Sequence, residues 1–144
     1  MGTENWITQE NFKELFINQI PILDVRAPVE FNENRFLNSV NIPILDDQQR
    51  AMVGTYYKQQ GQAAAIQLGH QLVSGTDKDQ KIQKWQNFFL QNPNGVLTCF
   101  RGGLRSRTTQ DWLLEHKNIS CSRVQGGTKA LRQFLLSYLN QFSQ

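Results

Sequence analysis

The sequence predicts an α/β protein: an open parallel sheet with helices on both faces, in a single domain. Three observations predict it. Short apolar runs at Pro21–Val25, Val40–Ile42, Gly95–Thr98 and Ser122–Val124 alternate with longer stretches of helical periodicity. Short turns join them, which favours parallel strands with crossover helices. The chain has 144 residues, 39% hydrophobic and 19% charged, enough for one domain (1–144, core about 20–135) with a substantial interior. Finally, the run at Gly95–Thr98 ends on Cys99 and passes through Gly102 and Gly103 into a helical pattern from Arg107 to Leu114. Open sheets place their ligands outside the carboxyl ends of strands, where Cys99 falls.

Taken in order, Thr8 is placed to cap a short helix with Phe12, Leu15 and Phe16 on one face. Pro21–Val25 reads as a buried strand closed by Arg26-Ala27-Pro28, and the segment from Val29 to Phe36 supports only a short helical turn. Val40–Ile42 is a second strand, stopped by Pro43. From Asp46 to Ser74 two helical pieces are expected, capped by Asp46 or Asp47 and broken near Gly61, because each glycine weakens a helix by about 1 kcal/mol relative to alanine. Tyr56 and Tyr57 are expected to be buried aromatics of that helix; a stacking surface for RNA at Tyr56–Gln60 is the alternative. Thr76 and Asp79 resemble a capping box ahead of Ile82, Trp85, Phe88 and Phe89. Asn92–Gly95 turns into the strand that leads to Cys99, with Leu97 and Leu23 expected on interior strands. After the strand at Ser122–Val124, Gly126-Gly127 opens a last helix carrying Ala130, Leu131, Phe134, Leu135, Tyr138 and Leu139.

The candidate site centres on Cys99, read as a nucleophile, with Phe100, Arg101, Gly102, Gly103, Leu104, Arg105 and Ser106 as an anion- or substrate-binding loop. Loop N–H groups, a helix N-terminus and arginines favour thiolate over thiol, and the thiolate is the reactive form. Cys99 to Arg107 carries Arg101, Arg105 and Arg107 and no acid, so a positive field and an anionic substrate are expected. A cysteine ending a buried strand also serves as a small core residue, the plainer reading. Asp24, Arg26 and Glu30 are expected to brace the loop. Cys121 is read as structural, His70 as packed or exposed, and His116 as exposed at a helix end.

Composition excludes several classes. The net charge of +3 comes from scattered basic residues and is a weak pointer to nucleic acid. No run reaches the roughly 18–20 apolar residues of a membrane span, the N-terminus lacks signal-peptide order, and Trp6 stands where myristoylation after Met1-Gly2 wants Ser or Thr. Two cysteines do not make a disulfide framework, so a cytoplasmic protein without membrane partners is expected. The chain has no Walker-type phosphate loop, no Cys-x-x-Cys pair and no metal-ligand spacing.

Leu23-Asp24-Val25-Arg26-Ala27-Pro28-Val29-Glu30-Phe31, Val40-Asn41-Ile42-Pro43 and Cys99–Ser106 together resemble the rhodanese family. The loop from Cys99 to Arg105 is one residue longer than the common rhodanese loop, and Arg35–Asn38 replaces the expected Gly-His. Val53–Gly61, Leu68-Gly69-His70, Cys99–Ser106 and Gly126–Arg132 resemble more narrowly the bacterial tRNA 2-selenouridine synthase family, with Thr128 standing where an aromatic residue is expected. The resemblance implies a rhodanese-like domain whose Cys99, as a perselenide or persulfide, carries selenium or sulfur for converting 2-thiouridine to 2-selenouridine at a tRNA wobble position. It implies tRNA and selenophosphate or a sulfane-sulfur donor as partners, and no tightly bound cofactor. In the full-length enzyme it implies geranyl diphosphate and a covalently linked phosphate-loop domain, whose motif this chain lacks.

Two other readings use the same residues. Cys99-x5-Arg105 is also the spacing of cysteine-dependent phosphatases and arsenate reductases. Thr98 in place of a preceding histidine, no carboxylate from Phe100 to Leu104, and Asp111 a turn and a half into the helix argue against it. A non-catalytic module binding tRNA or a partner would use Arg101, Arg105, Lys129 and Arg132 as its anion-binding face.

Overall fold

The computed structural model describes residues 5–142; Met1-Gly2 lies outside them. Five strands, β1 (Trp6–Ile7), β2 (Ile22–Asp24), β3 (Ser39–Asn41), β4 (Val96–Thr98) and β5 (Ser122–Val124), form one sheet in the order β1-β5-β4-β2-β3. Every pairing is parallel, with Leu23 opposite Leu97 and Leu97 opposite Arg123. The helices are α1 (Phe12–Ile17), α2 (Pro28–Glu33), α3 (Asp47–Gln60), α4 (Gln62–Leu72), α5 (Gly75–Gln91), α6 (Leu104–Lys117) and α7 (Gly127–Asn140).

Strand alternation divides the interior in two. Leu23, Val25, Leu97 and Cys99 face a core built with Ile82, Trp85, Phe88 and Phe89 of α5 and Trp112 and Leu113 of α6. Ile22, Val96 and Val124 face the other core, with Phe12 and Leu15 of α1 and Leu131 of α7. Helices therefore cover both faces, and the expected open parallel sheet is what forms. Leu23 and Leu97 are fully buried on neighbouring strands. The Trp85 indole N–H donates to the Ile42 carbonyl at 2.9 Å, so its polar atom is satisfied inside the core.

Local chemistry explains most of the boundaries. Asp46 caps α3 by accepting from the Gln49 N–H at 2.7 Å, and the Gln49 side chain returns to the Asp46 N–H. Gly61, at φ 91°, separates α3 from α4 where the break was expected. Pro28 opens α2, and Glu30 reaches back to the Ala27 N–H at 3.1 Å.

Five local expectations are corrected. The Thr8 hydroxyl bonds the Asn11 side chain and caps no helical N–H; a 3-10 turn over Gln9–Asn11 leads into α1 instead. Ser74 occupies the N-cap of α5, so Thr76 and Asp79 lie inside the helix and form no capping box. The sequence reading has no β1, a two-residue strand too short to show a period. α6 begins at Leu104, so Leu104, Arg105 and Ser106 belong to its first turn and only residues 100–103 form the loop. Tyr56 and Tyr57 are 41% and 54% exposed, because α3 packs chiefly on α4 and buries none of its residues.

Candidate active site

β4 delivers Cys99 to the carboxyl edge of the sheet, between β2 and β5. The thiol is only 2% exposed. Its hydrogen-bond partner is the Ser106 hydroxyl, 3.3 Å away on the first turn of α6. That hydroxyl also accepts from Arg123 Nη1 at 3.1 Å and donates to the Gly103 carbonyl at 3.3 Å. A hydroxyl rotates freely about its C–O bond, so Ser106 can accept from the thiol and turn its proton to a thiolate. The N-terminus of α6 adds its partial positive charge on the same side.

The loop is held from outside by its carbonyls. The Thr128 and Lys129 N–H groups, at the start of α7, donate to the Cys99 and Phe100 carbonyls at 2.9 and 3.0 Å. Arg123 Nη1 donates to the Gly102 and Gly103 carbonyls at 3.0 and 3.1 Å. In a trans peptide the N–H points opposite to the carbonyl. Anchoring these four carbonyls thus turns the N–H groups of Phe100, Arg101, Gly103 and Leu104 away from α7 and Arg123. Two glycines permit the approach. Gly102 has φ 70°, and a Cβ there would stand 2.9 Å from the Val124 carbonyl oxygen. Gly127 has φ 65°, and its Cβ would collide with the Cys99 and Phe100 carbonyls.

Arg123 is the site residue that sequence reasoning missed. It is 2% exposed on β5, with Nε donating to Gln110 Oε1 at 3.1 Å and its guanidinium 4.1 Å from the centre of the Trp6 ring. Its signal was an arginine within an apolar strand pattern, between Cys121 and Val124.

Arg105 overturns the expectation of an open positive field. The stretch from Cys99 to Arg107 holds no acid, but the fold brings Glu30 of α2 to it. Arg105 grips both Glu30 carboxylate oxygens, Nη2 at 3.1 Å, and Arg50 Nε lies 3.0 Å from Glu30 Oε1. Burial pushes the Glu30 pKa up, but the Arg105 hydrogen bond and charge, the Ala27 N–H and the Arg50 charge outweigh it and hold the carboxyl below its ordinary value. Burial likewise pulls the Arg105 pKa down, while Glu30, with smaller contributions from Cys99 and Asp24, raises it overall. Arg105 is therefore firmly charged and electrostatically coupled to Cys99, but its fork is occupied. It is not the free oxyanion clamp that a phosphatase needs, and Asp111 is exposed on α6.

Asp24 and Arg26 form a second buried pair beside the loop. Arg26 Nε and Nη2 meet Asp24 Oδ2 at 3.0 and 2.8 Å, and Nη2 also donates to the Asn34 carbonyl at 2.7 Å. The Val25 N–H donates to the Thr98 carbonyl at 3.0 Å, tying this segment to β4. Arg101 is exposed, with its guanidinium 5.4 Å from the Phe100 ring centre. Cys121 is buried, and burial pushes its pKa up to about 12 against a smaller opposing effect of Arg123, as a structural thiol requires. His70 is exposed, its ring 6.0 Å from Trp112, and His116 is exposed near the end of α6. Among the described residues no group of three or more His, Cys, Asp or Glu side chains could hold a metal ion. On the α6 side a largely apolar cavity of about 160 Å³ lies between Tyr57 and Leu104, Arg105 and Trp112.

No family model matches the chain. It is similar to the tRNA 2-selenouridine synthase of Pseudomonas putida, 53% identical over 131 residues, covering 91% of this chain and 35% of that protein. The synthase of Photobacterium profundum is 50% identical over 135 residues, with coverage of 94% and 37%. Among solved structures, the N-terminal domain of a Clostridium difficile 630 protein, provisionally named as ATP/GTP binding, superposes with a TM-score of 0.77 at 35% identity. That match covers 91% of this chain and 98% of that domain. The chain thus spans about a third of the length of the curated relatives it matches.

Proposed function

We propose that the chain is a rhodanese-like domain of the tRNA 2-selenouridine synthase family, a sulfur- and selenium-carrying transferase domain with Cys99 as the carrier. Its substrate would be a 2-thiouridine at a tRNA wobble position, converted to 2-selenouridine. The observation that carries this reading is the environment of Cys99: a covered cysteine at a strand's carboxyl end, joined to a rotatable hydroxyl and facing a helix N-terminus. A role on tRNA would favour the cytoplasm. No helix among the described residues is long and apolar enough to cross a membrane.

The loading steps follow from electron balance. With a sulfane donor, the Cys99 thiolate attacks the outer sulfur, a Cys99 S–S bond forms, and the donor's own bond breaks to release sulfite or a thiolate. Ser106 can stabilise the sulfur before attack by donating its proton in a hydrogen bond. Selenophosphate carries selenium already reduced, so a reduced Cys99 cannot take it as a perselenide while phosphorus leaves as phosphate. A Cys99 persulfide supplies the missing oxidation level. Selenium attacks Sγ, hydrogen sulfide leaves, and hydrolysis of the P–Se bond releases phosphate and leaves the perselenide.

The test is the intact mass of the chain after exposure to thiosulfate, to selenophosphate, and to the two in succession. The expected result is one added sulfur on Cys99 from thiosulfate, no selenium from selenophosphate alone, and one selenium from the succession. A Cys99 that takes up neither element under any of the three overturns the reading.

A further inference from the structure

Phe100, the residue after Cys99, is 36% exposed and walls a cavity of about 320 Å³ against the first turns of α7. No carboxylate lines this cavity. Its cations are Arg26, already neutralised by Asp24, and Lys129 and Arg132, exposed and one helical turn apart. Among the described residues neither Lys129 nor Arg132 forms an ion pair. Thr128 also lines the cavity, 4% exposed, and its hydroxyl is buried without a hydrogen-bond partner. The Arg101 guanidinium lies 5.4 Å from the centre of the Phe100 ring.

We propose that this surface binds a single RNA strand. A base stacks on Phe100 beside Arg101, and the neighbouring phosphates lie against Lys129 and Arg132. An aromatic ring flanked by unpaired cations fits a strand, in which π-faces and charges alternate, better than a lone oxyanion, which needs cations converging on one point. The site rests on the reading of this chain as a tRNA-modifying domain, and it sets the strand one residue from the carrier sulfur. Arg105, bound to Glu30, has no part in it.

The test is the binding of a fluorescein-labelled octauridylate to the whole chain by fluorescence anisotropy, over roughly 50–200 mM salt. Each single-strand phosphate contact contributes about 0.7 to the slope of log K against log salt, so Lys129→Ala with Arg132→Ala should lower that slope by roughly 1.4. Phe100→Leu, which keeps an apolar side chain, should weaken binding by roughly five- to a hundredfold with the slope unchanged. The pair Lys84→Ala and Lys117→Ala removes the same charge from α5 and α6 and should change the slope little. A slope indifferent to Lys129 and Arg132, or equally reduced by the control pair, overturns the site. So does displacement of the labelled strand by inorganic phosphate as readily as by unlabelled octauridylate, which marks a small-anion site. Sulfur loading of the wild-type chain from thiosulfate, run alongside, tests the carrier reading separately. A Cys99 that stays unloaded while the strand depends on Lys129 and Arg132 supports this site and removes the carrier; the converse removes the site and leaves the carrier.

Discussion

At Cys99 the chemistry depends on two neighbours that differ in what they can give. Ser106 offers a movable proton within hydrogen-bonding distance of the sulfur; Arg105 offers charge but no free donor fork. Ser106→Ala should therefore slow alkylation of Cys99 by iodoacetamide at neutral pH severalfold, whereas a rate unchanged from wild type would show that the hydroxyl does not assist the sulfur. Cys121, with its pKa pushed up to about 12, should contribute no alkylation below pH 10, so Cys121→Ala should leave the stoichiometry at one and Cys99→Ala should abolish it. The Glu30–Arg105 pair carries a pH signature. The folded-state pKa of Glu30 is lowered, so its stabilisation is present above its ordinary value of 4.5 and is lost as pH falls through the folded value. Glu30→Gln should destabilise the protein by about 1–3 kcal/mol near neutrality and remove that part of the acid dependence, measured by urea unfolding between pH 3 and 7.

Among the elements, α6 and α7 divide the work on the loop. α6 begins at Leu104 and presents its N-terminus to the sulfur, while α7 holds the loop's carbonyls with the Thr128 and Lys129 N–H groups. Gly127→Ala should be severe, since a Cβ there meets two carbonyls and the residue has φ 65°; a loss of about 1–3 kcal/mol is expected in thermal or urea unfolding. Arg123→Met removes the bonds to Gly102 and Gly103 while keeping an apolar stem in the sheet. Faster hydrogen exchange at residues 100–103, with β4 still protected, is the expected outcome; unchanged exchange would mean that α7 alone holds the loop. The α3–α4 hairpin behaves differently, since α3 packs chiefly on α4 and leaves Tyr56 and Tyr57 in solvent.

For the whole molecule, one parallel sheet separates two cores and brings the site to its carboxyl edge. Leu97, fully buried at the centre, should cost about 2–5 kcal/mol when replaced by alanine, measured by urea unfolding. The sequence alone determined the alternation of strands and helices, the interior position of Leu23 and Leu97, the break at Gly61, and Cys99 at the end of its strand. These are short-range properties: strand period, glycine backbone freedom and the turn at Asn92–Gly95 act within a few residues. Tertiary structure alone decided that Glu30 would meet Arg105 across 75 positions, that buried Arg123 would hold the loop, and that Trp6–Ile7 would add a strand beside β5. No local pattern encodes those pairings. A charged side chain finds its partner only after the sheet order sets which segments are neighbours, and desolvation then makes the pairing obligatory.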